Sequence, residues 1–307
     1  MRLTLSSLLL ASLVATPAYA QMAQPGAGPQ MVPVRRMRAP SPPPAFVGDA
    51  TELRMDLSQT LPIVEVRIGD KPYRFAVDTG AVGHGRISPA LAQSLGLAAA
   101  GEAVAADGSG RTQARRTYRL DAIDVGGVRF SALEFSELER LPPGVDGILG
   151  LGLFASHLVT FDYPKGTLSL SRQSLPETAM GYTPQPGRGI AVPVSIGDER
   201  IMASIDTGNA VAALILPTAL AERLPRKGEP RIAGRASTAI STVEIMEVEI
   251  TVPVRVGGST LPVTKVSYPS LGETGNIGSR GLSSTILRID QVNRRLEIVP
   301  VDSGERG

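Results

Sequence analysis

The chain has 307 residues, 42% hydrophobic and 20% charged, a balance that belongs to a globular protein and excludes a disordered or fibrous one. A net charge of +2 gives no basic field for nucleic acid, the absence of Cys excludes disulfide scaffolds, thiol catalysis and Cys-ligated metal, and two His are too few for a His-rich metal site. With 33 Gly, 25 Pro and no Trp, the composition favours a turn-rich β protein and offers no stacking platform for bases or sugars.

Met1-Arg2 supplies a positive start, Leu3 to Ala15 is apolar, and Ala18-Tyr19-Ala20 is a small-x-small cleavage site. Residues 1–20 therefore read as a signal peptide, with the mature chain starting at Gln21 in the periplasm or outside a bacterial cell. The apolar run is shorter than the roughly 20 residues of a membrane span, and no later run is longer, so no integral span is expected in the mature chain. Residues 21–50 hold seven Pro and the cluster Arg35, Arg36 and Arg38. Such a stretch buries too little apolar surface to order itself and reads as a disordered linker.

From residue 51 onward the sequence repeats itself. Val64-Glu65-Val66-Arg67-Ile68-Gly69-Asp70 matches Val192-Pro193-Val194-Ser195-Ile196-Gly197-Asp198, Asp78-Thr79-Gly80 matches Asp206-Thr207-Gly208, and Asp162 and Leu168 match Asp290 and Leu296. The shared offset divides the chain into one unit at 51–176, a Pro/Gly-rich connection at 177–189, a second unit at 190–300 and a tail at 301–307. In each unit alternating residues such as Val64, Val66 and Ile68 predict a half-buried strand, Gly69-Asp70 a turn, and Tyr73, Phe75 and Val77 a second strand running into Asp78. Short helices are expected after Pro89 and Pro217. Further strands are expected over 120–135 and 243–256, with turns at Gly126-Gly127 and Gly257-Gly258, and a closing hairpin at 161–168 with its counterpart at 289–296. Glu244, Glu247 and Glu249 read as an exposed strand edge.

Composition alone predicts about 0.1 copies of Asp-Thr-Gly in a chain of this make-up; here there are two, in register, each behind a strand. The physical reason for such a pair is a carboxyl dyad. Each strand delivers a carboxyl group to a cleft, Thr hydrogen-bonds across a pseudo-two-fold axis, and Gly lets the backbone approach the opposite carboxyl. Two carboxyls in contact cannot both ionise cheaply, so they share a proton, and one serves as general base while the other serves as general acid. This chemistry needs no metal, cofactor, Cys or His.

These residues resemble the pepsin/retropepsin aspartic proteases, as a bacterial member with both lobes on one chain. The resemblance rests on the segments around Asp78-Thr79-Gly80-Ala81 and Asp206-Thr207-Gly208-Asn209. It also rests on Val145-Asp146-Gly147-Ile148-Leu149-Gly150, similar to the segment that braces each active-site loop, and on its second copy Thr274-Gly275-Asn276-Ile277-Gly278. It implies an all-β, bilobal acid-protease fold of two β-barrel-like lobes about a pseudo-two-fold axis. Asp78 and Asp206 would be the catalytic pair, with Thr79, Gly80, Thr207 and Gly208 in support. A polypeptide would be the substrate, and the fused pseudo-dimer would work as a monomer. By position, Asp107, Gly108 and Ser109 mark the tip of a first flap over the cleft, with 232–238 as its second-lobe equivalent. Asn276 stands where the brace usually carries an apolar residue, and neither flap tip has a nearby aromatic.

Two functions stay open on these grounds. One is an aspartic endopeptidase of the cell envelope. The other is an inactive or weak relative that uses the same fold as a binding or scaffold module. Retention of both Asp, Thr and Gly weighs against the second, because a binder has no chemical need of a costly carboxyl pair. Elsewhere His84 reads as an exposed loop residue, His157 as structural, and Arg111, Arg115, Arg116 and Arg119 as a solvated strand face.

Overall fold

The structure, a computed structural model, describes residues 43–48, 50–106, 112–185, 189–237, 242–269 and 274–301. The predicted leader at 1–20, most of the linker and the flap residues Asp107, Gly108 and Ser109 lie outside them, as does Arg111.

Among the described residues the fold is all-β, as expected, in three sheets with only short helical turns between them. An eight-stranded sheet is built from the first half of the chain. Its central order runs 128–137, 85–87, 147–150, 71–78, 63–68. A ten-stranded sheet from the second half repeats that core as 265–268, 214–215, 275–278, 199–206, 189–196. A third, six-stranded sheet takes strands from both halves.

The local reasons for these strands are visible in the side chains. In Ile63–Ile68 the residues Val64 and Val66 are buried and Glu65 and Arg67 exposed, the period of two that a one-faced strand requires. The turn that follows uses Gly69 at φ 60°, and its counterpart uses Gly197 at φ 58°, a left-handed conformation that favours glycine. Both predicted helices form, as Pro89–Ser94 and Thr218–Ala221. Phe75, Phe130, Phe135, Phe154 and Phe161 are the largest fully buried side chains in the core of the first half.

The shared sheet shows how the halves are joined. Leu158–Asp162 pairs antiparallel with Thr285–Asp290, with Thr160 opposite Arg288, Leu158 opposite Asp290 and Asp162 opposite Ile286. Thr160 and Arg288 are counterparts under the sequence offset, so the ladder crosses a local two-fold axis at that pair. The outer strands follow the same plan. Thr167–Ser171 continues from one strand and Arg295–Pro300 from the other. Asp162 accepts the amide of Lys165, and Asp290 that of Asn293, both at 3.0 Å, which closes each hairpin turn.

Several expectations change. The linker stops short of residue 50, because Ala45–Val47 is a strand on Val128–Glu137 and Phe46 packs against Phe130 and His157. The connection at 177–189 is not plain loop, since Met180–Gly181 adds to the shared sheet and Thr183–Gln185 to the second sheet. Thr242–Ile250 is no edge, being flanked by Arg226–Ser237 and Lys265–Tyr268. Glu244, Glu247 and Glu249 are each ion-paired across these ladders, to Arg235, to Arg231 and Lys265, and to Lys227. Among the described residues no helix is long and apolar enough to cross a membrane.

Candidate active site

Asp78 is the last residue of Lys71–Asp78, and Asp206 the last of Glu199–Asp206. Each strand is braced by a parallel partner. Phe75 to Asp78 pair with Gly147 to Gly150, and Ala203 to Asp206 pair with Gly275 to Gly278. The short strand Gly85–Ile87 then runs antiparallel to the first brace, and Leu214–Ile215 to the second. The chain beyond each Asp is therefore threaded back over its own brace. The amide of Gly150 donates to the carbonyl of His84, and that of Gly278 to Ala213. The loop carrying each carboxyl has little freedom left.

The two loops lock together through their threonines, both fully buried. The amide of Thr79 donates to Oγ1 of Thr207, and the amide of Thr207 to Oγ1 of Thr79. Each hydroxyl in turn donates to the other half, Thr79 to the carbonyl of Ile205 at 2.6 Å and Thr207 to that of Val77 at 2.7 Å. Four hydrogen bonds thus cross the junction directly beneath the carboxyls, in a buried place where each would be costly to leave unmade.

Above this lock the Asp78 and Asp206 carboxyls converge on the same place, since a Cβ on Gly80 would meet Oδ1 of both. Glycine is required on both sides of the pair. A Cβ at Gly208 would lie 2.4 Å from Cγ of Asp78, and one at Gly80 would lie 2.8 Å from Oδ1 of Asp206. Asp78 Oδ1 accepts the amides of Gly80 at 2.7 Å and Ala81 at 3.1 Å. Asp206 Oδ1 accepts the amide of Gly208 at 3.1 Å, and its Oδ2 accepts Nδ2 of Asn276 at 2.7 Å. Both Asp residues keep a partly open edge. Even so, the dense protein surround of Asp78, and secondly the charge of Asp206, push its carboxyl up to about 7, against a smaller opposing pull from Arg86. A pair that holds one proton over a wide pH range can donate and accept protons at the same time.

Further contacts tie the site to the shared sheet. Ser279, next to the second brace, donates its hydroxyl to the carbonyl of Thr207 at 2.7 Å and meets the hydroxyl of buried Tyr163 at 3.2 Å. On the other side Gln291 donates to the carbonyl of Leu151 at 2.8 Å. Tyr163 and Gln291 are counterparts under the offset, as are Leu151 and Ser279, so each half braces the other. The sequence reading missed both pairs, because Tyr against Gln and Leu against Ser show no residue-type similarity. A polar residue at both 163 and 291 was the only available signal.

His84 is buried, not exposed, and its Nδ1 accepts the amide of Glu134 at 3.0 Å. It supports the strand Val128–Glu137 from inside the fold. His157 is structural as expected, enclosed by Phe46 and Phe130. Burial, and secondly the charge of Arg172, hold its imidazole below its ordinary value. Arg116 is paired with Glu137 at 3.1 Å while much of its side chain stays exposed, as on a solvated strand face. The flap positions Asp107, Gly108 and Ser109 fall outside the described residues. The hairpin strands that would carry the first flap, Ala99–Ala106 and Thr112–Val125, pair up to Ala106 opposite Thr112.

No curated protein matches the chain. Residues 64–153, which hold Asp78-Thr79-Gly80 and its brace but end before Asp206, match the model of a protein family described as Aspartyl protease.

Proposed function

We propose that the chain is an aspartic endopeptidase whose catalytic unit is Asp78 with Asp206. The observation that carries this reading is the convergence of the two carboxyls at Gly80, over the reciprocal Thr79–Thr207 lock. In the first step the ionised carboxyl takes a proton from a water while the water oxygen attacks the peptide carbonyl carbon. The protonated carboxyl gives its proton to the carbonyl oxygen, leaving a gem-diol. In the second step the proton taken from water passes to the leaving nitrogen. A hydroxyl proton of the diol returns to the other carboxyl, and the C–N bond breaks. The products are a carboxylic acid and an amine, and the dyad again holds one proton.

The substrate is a polypeptide, and because both loops come from one chain the unit of activity is a monomer. The leader at 1–20 places the enzyme in the envelope or outside the cell, with cleavage after Ala20. N-terminal sequencing of envelope material should begin at Gln21, and recovery of intact Met1 in the cytoplasm would refute that location. The activity itself is tested by incubating a denatured protein with the mature chain, with and without pepstatin. Acid-side cleavage that pepstatin suppresses is the expected result. Absence of cleavage under all conditions would favour a binding or scaffold role for the same fold.

A further inference from the structure

The two carboxyls are not served alike. Asp206 Oδ2 accepts Nδ2 of Asn276 at 2.7 Å, and Oδ1 of Asn276 accepts Nδ2 of Asn209 at 2.7 Å. Oδ1 of Asn209 accepts the backbone amides of Val211 at 3.0 Å and Ala212 at 3.4 Å. Backbone amides can only donate, so they fix which end of Asn209 faces them. That in turn fixes Asn276, whose NH₂ must then face Asp206. The offset counterparts of Asn209 and Asn276 are Ala81 and Ile148, which have no side-chain donor. Both amides that reach Asp78 meet one oxygen, Oδ1.

A proton shared by two carboxyls settles on the one whose charged form is less well hydrogen-bonded. Asp206 has a donor on each oxygen. A proton on its Oδ2 would point at the NH₂ of Asn276, donor against donor. Among the described residues, Arg86 acts on Asp78, and the Tyr163 hydroxyl lies near Asp206; burial, and to a smaller extent the charge of Asp206, keep that hydroxyl neutral against the opposing pull of its contact with Ser279. Arg86 favours charge on Asp78, but burial and the neighbouring carboxyl outweigh it.

We propose that Asn276, aligned by Asn209, is a positioning residue that fixes the dyad's negative charge on Asp206 and its proton on Asp78. Asp206 is then the base that activates water, and Asp78 the acid that protonates the substrate carbonyl. This assignment of roles rests on the endopeptidase reading, whereas the allocation of the proton does not.

The test is a carboxyl titration by carbon NMR on the full mature chain labelled at Asp, with Asp78→Asn and Asp206→Asn used to assign the two signals. In the parent, the lower of the pair's two apparent pKa values should appear mainly at Asp206. Asn276→Ile, which copies the first half, should raise that lower value by about one unit or more, since a carboxylate loses its donor. Asn209→Ala, which leaves Asn276 in place but unaligned, should move it the same way by less. The acid limb of kcat/KM should follow the titration, a shift that a merely structural role would not produce. A lower value seated on Asp78, or titrations unmoved in both variants, would overturn the proposal. Titrations that shift as stated in a chain that cleaves nothing would uphold the proton allocation and sink the endopeptidase reading alone.

Discussion

Thr79 and Thr207 exchange hydrogen bonds reciprocally, the amide of each donating to the hydroxyl of the other at 3.0 Å. Each hydroxyl also donates across the junction, to Ile205 and to Val77. Replacing either Thr by Val keeps the shape but leaves a buried amide and a buried carbonyl without partners. Each change should cost about 1–3 kcal/mol, read as a lower urea midpoint. The two together should cost less than their sum, because they break one network. Thr→Ser at either place should cost less than Thr→Val. Val variants as stable as the parent would show that the lock does not hold the halves together.

The raised carboxyl of Asp78 has a consequence for stability. Its folded value lies near 7 against 3.8 in an unfolded chain, so between those values the folded state keeps a proton that the unfolded state has released. Stability therefore falls as pH rises through that window. Asn mimics the protonated form at every pH. Asp78→Asn should be more stable than the parent at pH 7 and no more stable below about pH 4, checked by urea unfolding at several pH values. A parent that gains stability relative to the variant as pH rises would contradict the assignment.

Much of this was legible in the sequence for a physical reason. A strand that ends in Asp-Thr-Gly needs those side chains at those places, and the same tripeptide recurs at the same offset. The alternation of Val64, Val66 and Ile68 likewise reports one buried face directly. Other features depend on which strands become neighbours, and a single sequence does not show that. His84 is buried because Gly85–Ile87 is threaded between Val128–Glu137 and Gly147–Gly150. Ala45–Val47 is too short for its period to be read amid the surrounding prolines. Asn276 stood out only as a departure from an apolar brace. Its reach to Asp206 is a matter of side-chain geometry.

The glycines facing the dyad make a steric prediction. Gly208→Ala would place a carbon 2.4 Å from Cγ of Asp78, and Gly80→Ala one 2.8 Å from Oδ1 of Asp206. Either carboxyl must then move. Displacement by about 1 Å should lower kcat/KM on the order of 10²-fold, with overpacking costing about 1–3 kcal/mol. Gly258→Ala serves as the control, since its Cβ would meet nothing within 4 Å. Equal activity in the Gly208 and Gly258 variants would show that the loops are not packed against each other in the working protein.

The central claim is that Asp78 and Asp206 act as one unit, and the most direct test is cleavage of a denatured protein from about pH 3 to pH 8. It compares the parent, Asp78→Asn, Asp206→Asn and the double variant. The account predicts a bell-shaped profile for the parent, with its maximum on the acid side where one carboxyl of the pair is protonated and the other is not. Each single variant should lose at least about 10³-fold in kcat, and the double variant should be scarcely worse than either, because members of one catalytic unit are not additive. Single variants that cleave like the parent, or a parent that cleaves nothing across that range, would contradict it.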